Sequence, residues 1–220
     1  MTVTRASLAI VSDNPSSWAI AYNRDLADEL EAQGHRVALV HAIADAPAAD
    51  IAVYLNCERI IPAHERARFR NNVVVHASAL PLGRGWSPLT WSILAGAERV
   101  MLTLFEAADA VDAGPIYLQH ELRFEGHELV DELRRHVALG SQALVREFAA
   151  RWPEVPGRQQ AGEPTFFQRR RPVDSRLDPD RPLREQFNLL RVVDNERYPA
   201  YFEHAGHVYE LRISKRGAGE

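Results

Sequence analysis

Short apolar, β-branched runs recur through the first third of the chain, separated by stretches of turn-forming or helix-like sequence. The four runs are SLAIVS (7–12), HRVALVH (35–41), ADIAVYL (49–55) and NVVVH (72–76). Strands that are apolar nearly throughout must be covered on both faces, which is the condition of a parallel sheet between helices. The intervening sequence agrees with this. Residues 18–33 carry Ala19, Tyr22, Leu26 and Leu30 at near-helical spacing and stop at Gly34, and the polar residues 62–70 fit a second helix. The expected fold is therefore α/β: a Rossmann-like, mostly parallel sheet with helices on both faces. RVMLTLFEA (99–107) and PIYLQHEL (115–122) alternate more strictly, which predicts an antiparallel or mixed part of the same sheet. Residues 88–95 read as a short helix opened by Pro88. Residues 127–151 read as a long amphipathic helix with Leu129, Leu133, Val137, Leu144 and Phe148 on its apolar side.

From Pro153 to about Gln168 the composition turns to Pro, Gly and Gln, the mark of a linker. This divides the chain into a core over residues 1–152 and an appendage over 153–220. The appendage holds the linker, a helix over 184–194 and a β-hairpin over 199–214 with its turn at Ala205-Gly206. The hairpin's Tyr201, Phe202, Val208, Tyr209 and Leu211 could pair across a homodimer, and packing on the parent domain accounts for them equally well. A length of 220 residues suits one α/β domain plus a small addition.

Charge and cysteine content narrow the setting. A net charge of −4 argues against binding nucleic acid through overall charge. Cys57 is the only cysteine, so no intramolecular disulfide can form and a reducing compartment is expected. No charged-then-apolar leader precedes the first strand, and no apolar run approaches the ~18 residues of a membrane span. The expectation is a cytoplasmic protein with no membrane partner.

In open parallel sheets ligands bind beyond the carboxyl ends of the strands. Asp13–Trp18, Asn56 and His76 fall at those ends here. His76 closes the VVV run, and Asp112 opens the small-residue turn DAG 36 positions later. A His–carboxylate pair delivered by two strand ends is a usual way to build a proton-transfer site. No G-x-G-x-x-G follows the first strand, so no dinucleotide is expected. His204 and His207 lack neighbouring cysteines or acids at ligand spacing, so no metal site is expected.

The segment HASALPLGRGWSP, followed by an apolar helix, LTL and DAGPI, resembles the formyltransferase superfamily that uses 10-formyltetrahydrofolate. Members carry N-x-H-P-S-L-L-P-x-x-R-G, a proline, V-T-L and D-x-G-x-I. The matching residues are His76, Ser78, Leu80, Pro81, Arg84, Gly85, Pro88, Thr103, Asp112, Gly114 and Ile116, and the register from histidine to aspartate needs no gap. The motif's asparagine falls at Val74. RRRPVDSRLD and the NLLR that follows resemble the C-terminal segment of sugar N-formyltransferases. The likeness covers about residues 50–214 and is strongest at 76–119 and 168–199.

The resemblance implies transfer of a formyl group from 10-formyltetrahydrofolate to the amine of a small acceptor, a nucleotide-linked amino sugar. His76 and Asp112 are the implied catalytic pair. The implied donor-binding residues are Leu80, Pro81, Arg84, Gly85, Val111 and Gly114. Because valine offers no polar atom, a side-chain amide near His76 must come from elsewhere. Asn72 shares the face of His76 but lies roughly 13 Å away at about 3.3 Å per residue. Asn56, at the end of the adjacent strand, is the better candidate, and backbone N–H groups in the loop after His76 are the other option. Asn14, Ser16, Ser17 and Trp18 face the cleft by topology and could touch the acceptor. Arg169 and Arg171 could approach a diphosphate, or the basic run could be solvated charge tied to Asp174 and Asp178. Trp86 and Trp91 read as packing residues, and Arg84 as a tether for the loop or a contact for the donor's acidic tail. A second class of reading is a folate- or nucleotide-sugar-binding protein without turnover, and a third is transfer to a non-sugar amine.

Overall fold

A computed structural model describes residues 5–217. In chain order the elements are β1 (Ser7–Val11), α1 (Ile20–Ala32), β2 (Arg36–Val40), β3 (Ile51–Tyr54), α2 (Ala63–Arg66) and β4 (Asn71–His76). Then come β5 (Arg84–Gly85), α3 (Pro88–Leu94), β6 (Arg99–Glu106), β7 (Ile116–Arg123) and α4 (Val130–Arg151). β8 (Phe166–Phe167), α5 (Phe187–Val192), β9 (Ala200–His204) and β10 (His207–Leu211) complete the chain. Six strands form one sheet in the order β2-β1-β3-β4-β6-β7. The first four run parallel, whereas β6 and β7 are antiparallel to their neighbours, as the stricter alternation of those two segments predicts.

Period-two alternation divides each central strand between two cores. Leu8 and Ile10, Ile51 and Val53, and Val73 face α1 and α4, where Leu26, Leu30, Leu133, Leu144 and Phe148 meet them. Fully burying one such side chain contributes about 1.5–3 kcal/mol. The opposite face carries the smaller Ala9 and Ala52 beside Val11 and Tyr54. Its cover is thinner, built from a 3₁₀ turn at Ile43–Asp45 and from Phe69. His76 and Val74 belong to this second face, so the thin side is where a ligand can reach the strand ends.

Three segments differ from the sequence expectation. The helix expected over 62–70 is only the four residues of α2. The helix expected over 184–194 is a 3₁₀ turn at Leu183–Glu185 followed by α5. Residues 153–168 are no loose linker. Arg158 exchanges two backbone hydrogen bonds with Ile116, both at 2.8 Å, and β8 pairs with β5. A segment without its own apolar period can still be ordered when its backbone groups complete another element's ladder. In the hairpin, Phe202 and Leu211 pack on Leu177, Leu190 and Val193, while Val208 and Tyr209 are exposed. No helix among the described residues is long and apolar enough to cross a membrane.

A buried ion pair locks α5 under the start of α4. The Arg191 guanidinium donates to Glu128 at 2.9 Å with both side chains about 5% exposed or less. Burial pushes the Glu128 carboxyl up, but N–H donors of Glu125, Glu128 and Gly126 and the Arg191 charge outweigh that and hold it below the ordinary range. Arg191→Met strands a buried carboxylate and should destabilise the protein by about 3–5 kcal/mol. A carboxylate depressed in the folded state stabilises fully above its unfolded pKa of about 4.3 and loses that contribution as pH falls through the folded value. Denaturant titrations should therefore show the largest gap between wild type and variant near neutrality, shrinking below about pH 4. A gap that does not change with pH would remove Glu128 from the account.

Candidate active site

β1, β3 and β4 end side by side, and the loops leaving them open into a cavity of about 630 Å³. Asn14, Ser17 and Trp18 line it after β1, Asn56 after β3, and His76 at the end of β4. Val111 and Asp112 enter from the turn between β6 and β7, and Gly85 and Trp86 from β5 and the loop that follows it.

His76 is nearly buried. Its Nε2 lies 2.8 Å from the Gly83 carbonyl oxygen and 3.7 Å from Asp112 Oδ2. A carbonyl oxygen can only accept, so Nε2 donates to Gly83, and Nδ1 is the nitrogen left to gain or lose a proton. Nδ1 has no hydrogen-bond partner among the described residues. The ring is thus clamped at one nitrogen and free to take a proton at the other.

Asp112 holds its place through backbone geometry. Its φ is 50°, in the left-handed region that aspartate tolerates better than most residues, and its Oδ2 accepts the Gly85 N–H at 2.8 Å. Gly85 is required for steric reasons: at φ 97°, a Cβ would sit 2.6 Å from the Phe167 carbonyl oxygen. A Cβ on Gly114 would come within 1.8 Å of the Glu106 carbonyl oxygen. Thr103, paired with His76 across β4 and β6, donates its hydroxyl to the Ser78 carbonyl at 2.7 Å and steadies the loop after the histidine.

Val74 lines the cavity and packs on Leu80, Phe105 and Ile116, so it places apolar surface next to the histidine. Asn72 is committed elsewhere. Its Oδ1 accepts the Tyr54 hydroxyl at 2.9 Å and its Nδ2 donates to the Arg66 carbonyl at 3.1 Å. The β3–β4 register ends at Tyr54–Val74, with Asn56 two residues beyond the one and His76 two beyond the other, and both line the cavity. Asn56 is exposed, adopts φ 57° and lines the same cavity.

Six residues expected at the site do not line this cavity. Ser16 is exposed, with its N–H bound to Asn14 Oδ1. Leu80 and Pro81 are buried behind the site, and Gly114 is set against Glu106. Arg84 donates to Gln160 Oε1 at 2.6 Å. Arg171 is exposed, its N–H on the Asp174 carboxylate. Of the basic run, Arg169 and Arg170 line the cavity instead. Arg169 lies over the Trp86 ring at 4.6 Å and pairs with Glu58 at 3.1 Å, so Trp86 is a cavity-wall residue as well as a packing one. Arg170 donates to the Val192 carbonyl and to Ser175, and burial lowers its pKa.

Arg134 and Arg197 also line the cavity, and neither was expected. Arg134 pairs with Asp194 at 2.7 Å and lies 5.6 Å from the Trp18 ring centroid. Burial opposes ionisation of Asp194, yet Arg134 and the N–H groups of Glu196 and Arg197 keep its carboxyl below the usual range. Arg134 left no trace in the sequence because the apolar period of α4 already explains its neighbours. Cys57 borders the cavity too, but burial pushes its thiol up to about 12, so it stays neutral and is no nucleophile.

The family described as formyl transferase matches residues 7–147. Methionyl-tRNA formyltransferase from Clostridium thermocellum superposes with a TM-score of 0.80 at 22% identity, covering 97% of this chain and 95% of that one. A sugar N-formyltransferase from Shewanella gives 0.65 at 19% identity, covering 97% and 99%. HypX from Aquifex aeolicus in complex with tetrahydrofolic acid gives 0.76 at 16% identity, covering 99% of this chain and 40% of that longer one. At these identities the likeness to the three structures is one of fold.

Proposed function

The chain belongs to the formyl transferase family, and from that premise we propose that it moves a formyl group from 10-formyltetrahydrofolate to the amine of a nucleotide-linked amino sugar. The observation that carries this reading is the His76 ring, fixed at Nε2 and unpartnered at Nδ1, on the wall of a cavity sized for small molecules. In the proposed reaction the acceptor amine attacks the formyl carbon of the donor. His76 Nδ1 takes the amine's proton as the carbon–nitrogen bond forms, and Asp112 Oδ2 balances the imidazolium charge. As the bond from the formyl carbon to the donor nitrogen breaks, the same proton passes to that nitrogen, giving the N-formyl product and tetrahydrofolate. The developing oxyanion needs a donor, and the Asn56 side-chain amide is assigned that role.

The acceptor assignment is supported by the RRRPVDSRLD tail and by the arginines around the cavity. Val111 and Gly85 line the cavity wall beside Asp112 and are assigned to the donor. Asn56→Ala should lower turnover by ~10²-fold, as the loss of one oxyanion donor does. A rate within twofold of wild type would remove Asn56 from the mechanism. The reading as a whole is tested by incubating the protein with 10-formyltetrahydrofolate and a panel of amines, with products read by mass spectrometry. N-formylation of nucleotide-linked amino sugars is expected. Formylation confined to simple amines would overturn the acceptor assignment. Tight folate binding with no product from any amine would make the chain a binding protein.

A further inference from the structure

We infer that Gln160 is a positioning residue that sets the geometry of the His76–Asp112 pair from the far side of the two loops carrying it. This inference rests on the catalytic reading of that pair. Gln160 spends its whole amide on those loops. Nε2 donates to the Asp112 carbonyl at 2.8 Å and to the Gly114 carbonyl at 2.9 Å, while Oε1 accepts from Arg84 at 2.6 Å. Both amide hydrogens and the carbonyl oxygen are used, so no other uncharged side chain of similar length reproduces the set.

The two loops it joins are the ones that orient the ring. The 112–114 turn supplies the carboxylate 3.7 Å from Nε2, and the 83–86 loop supplies the Gly83 carbonyl that accepts from Nε2. The surrounding strap repeats the arrangement in backbone form. Thr165 accepts the Gly83 N–H at its hydroxyl and the Arg84 N–H at its carbonyl, and Phe167 accepts from Trp86. Asp112 needs such a hold because its left-handed φ leaves its carbonyl outside any regular ladder. Gln160 fixes that carbonyl directly, and with it the direction of the carboxylate.

The test uses Gln160→Met, which keeps length and removes all three hydrogen bonds, and Gln160→Glu, which keeps the acceptor for Arg84 and loses both donors. In both variants kcat should fall by ~10- to 10²-fold, the cost of a displacement of about 1 Å at a reacting centre, while KM for donor and acceptor stays within about threefold. A second readout does not depend on turnover. ¹⁵N spectra of histidine-labelled protein, with His76 assigned by its absence from His76→Gln, should show Nε2-protonated His76 in wild type and a mixture of tautomers in both variants. A folded variant with unchanged kcat and an unchanged His76 tautomer would overturn the inference. If wild type transfers no formyl group at all, the catalytic reading fails, and the ¹⁵N comparison still decides whether Gln160 orients the ring.

Discussion

His76→Gln should lower the rate of formyl transfer by about 10²- to 10⁴-fold, the range spanned by losing a general base. The substitution isolates that role. A glutamine amide can still donate to the Gly83 carbonyl that holds the ring in place at 2.8 Å, but it has no basic lone pair to replace Nδ1. The loop after β4 should therefore survive, steadied as before by Thr103 on Ser78. KM for both substrates should stay within about threefold and the circular dichroism spectrum should match wild type. A folded variant with more than a tenth of wild-type kcat would mean that the proton leaves by another route.

Asp112→Asn is the second large effect, and it separates charge from shape. Asparagine tolerates the left-handed φ of 50°, and its Oδ1 can still accept the Gly85 N–H. Only the negative charge 3.7 Å from Nε2 is lost. At an effective dielectric constant of ~20 that charge stabilises an imidazolium by about 4 kcal/mol, and contact with the open cavity reduces the benefit. Kinetics should show kcat lowered by ~10²- to 10³-fold with little change in melting temperature. Asp112→Ala removes the Gly85 acceptor as well, leaving a half-buried N–H unpaired, and should add a stability loss of about 1–3 kcal/mol. If the asparagine variant kept full activity, Asp112 would be a loop brace alone.

The parallel part of the sheet was legible because its strands are apolar on both faces, and α1 and α4 because they carry a clean period. β1 to β4 and α1 fall where SLAIV, RVALV, IAVY and the Ala19–Leu30 spacing put them. That His76 and Asp112 come together was legible because strand ends and a gapless motif coincide. The strap from Arg158 to Phe167 was not, since its order comes from hydrogen bonds to distant backbone rather than from its own composition. Gln160 looked like linker polarity for the same reason. The basic run was found, but the backbone trace at 169–171 decides which arginines enter, and residue type carries no record of that. Val74 was visible in the sequence as a departure, and the packing with Leu80, Phe105 and Ile116 shows that the apolar residue belongs to a cluster there.

The acceptor amine is expected to meet His76 Nδ1 inside the cavity at the ends of β1, β3 and β4. A crystal structure with a non-transferring folate analogue and a nucleotide-linked amino sugar measures this directly. The amine should lie within about 3.2 Å of Nδ1, with the folate ring beside Val111 and Asp112. An amine resting outside that reach, with the nucleotide bound away from the arginine-lined wall, would contradict it.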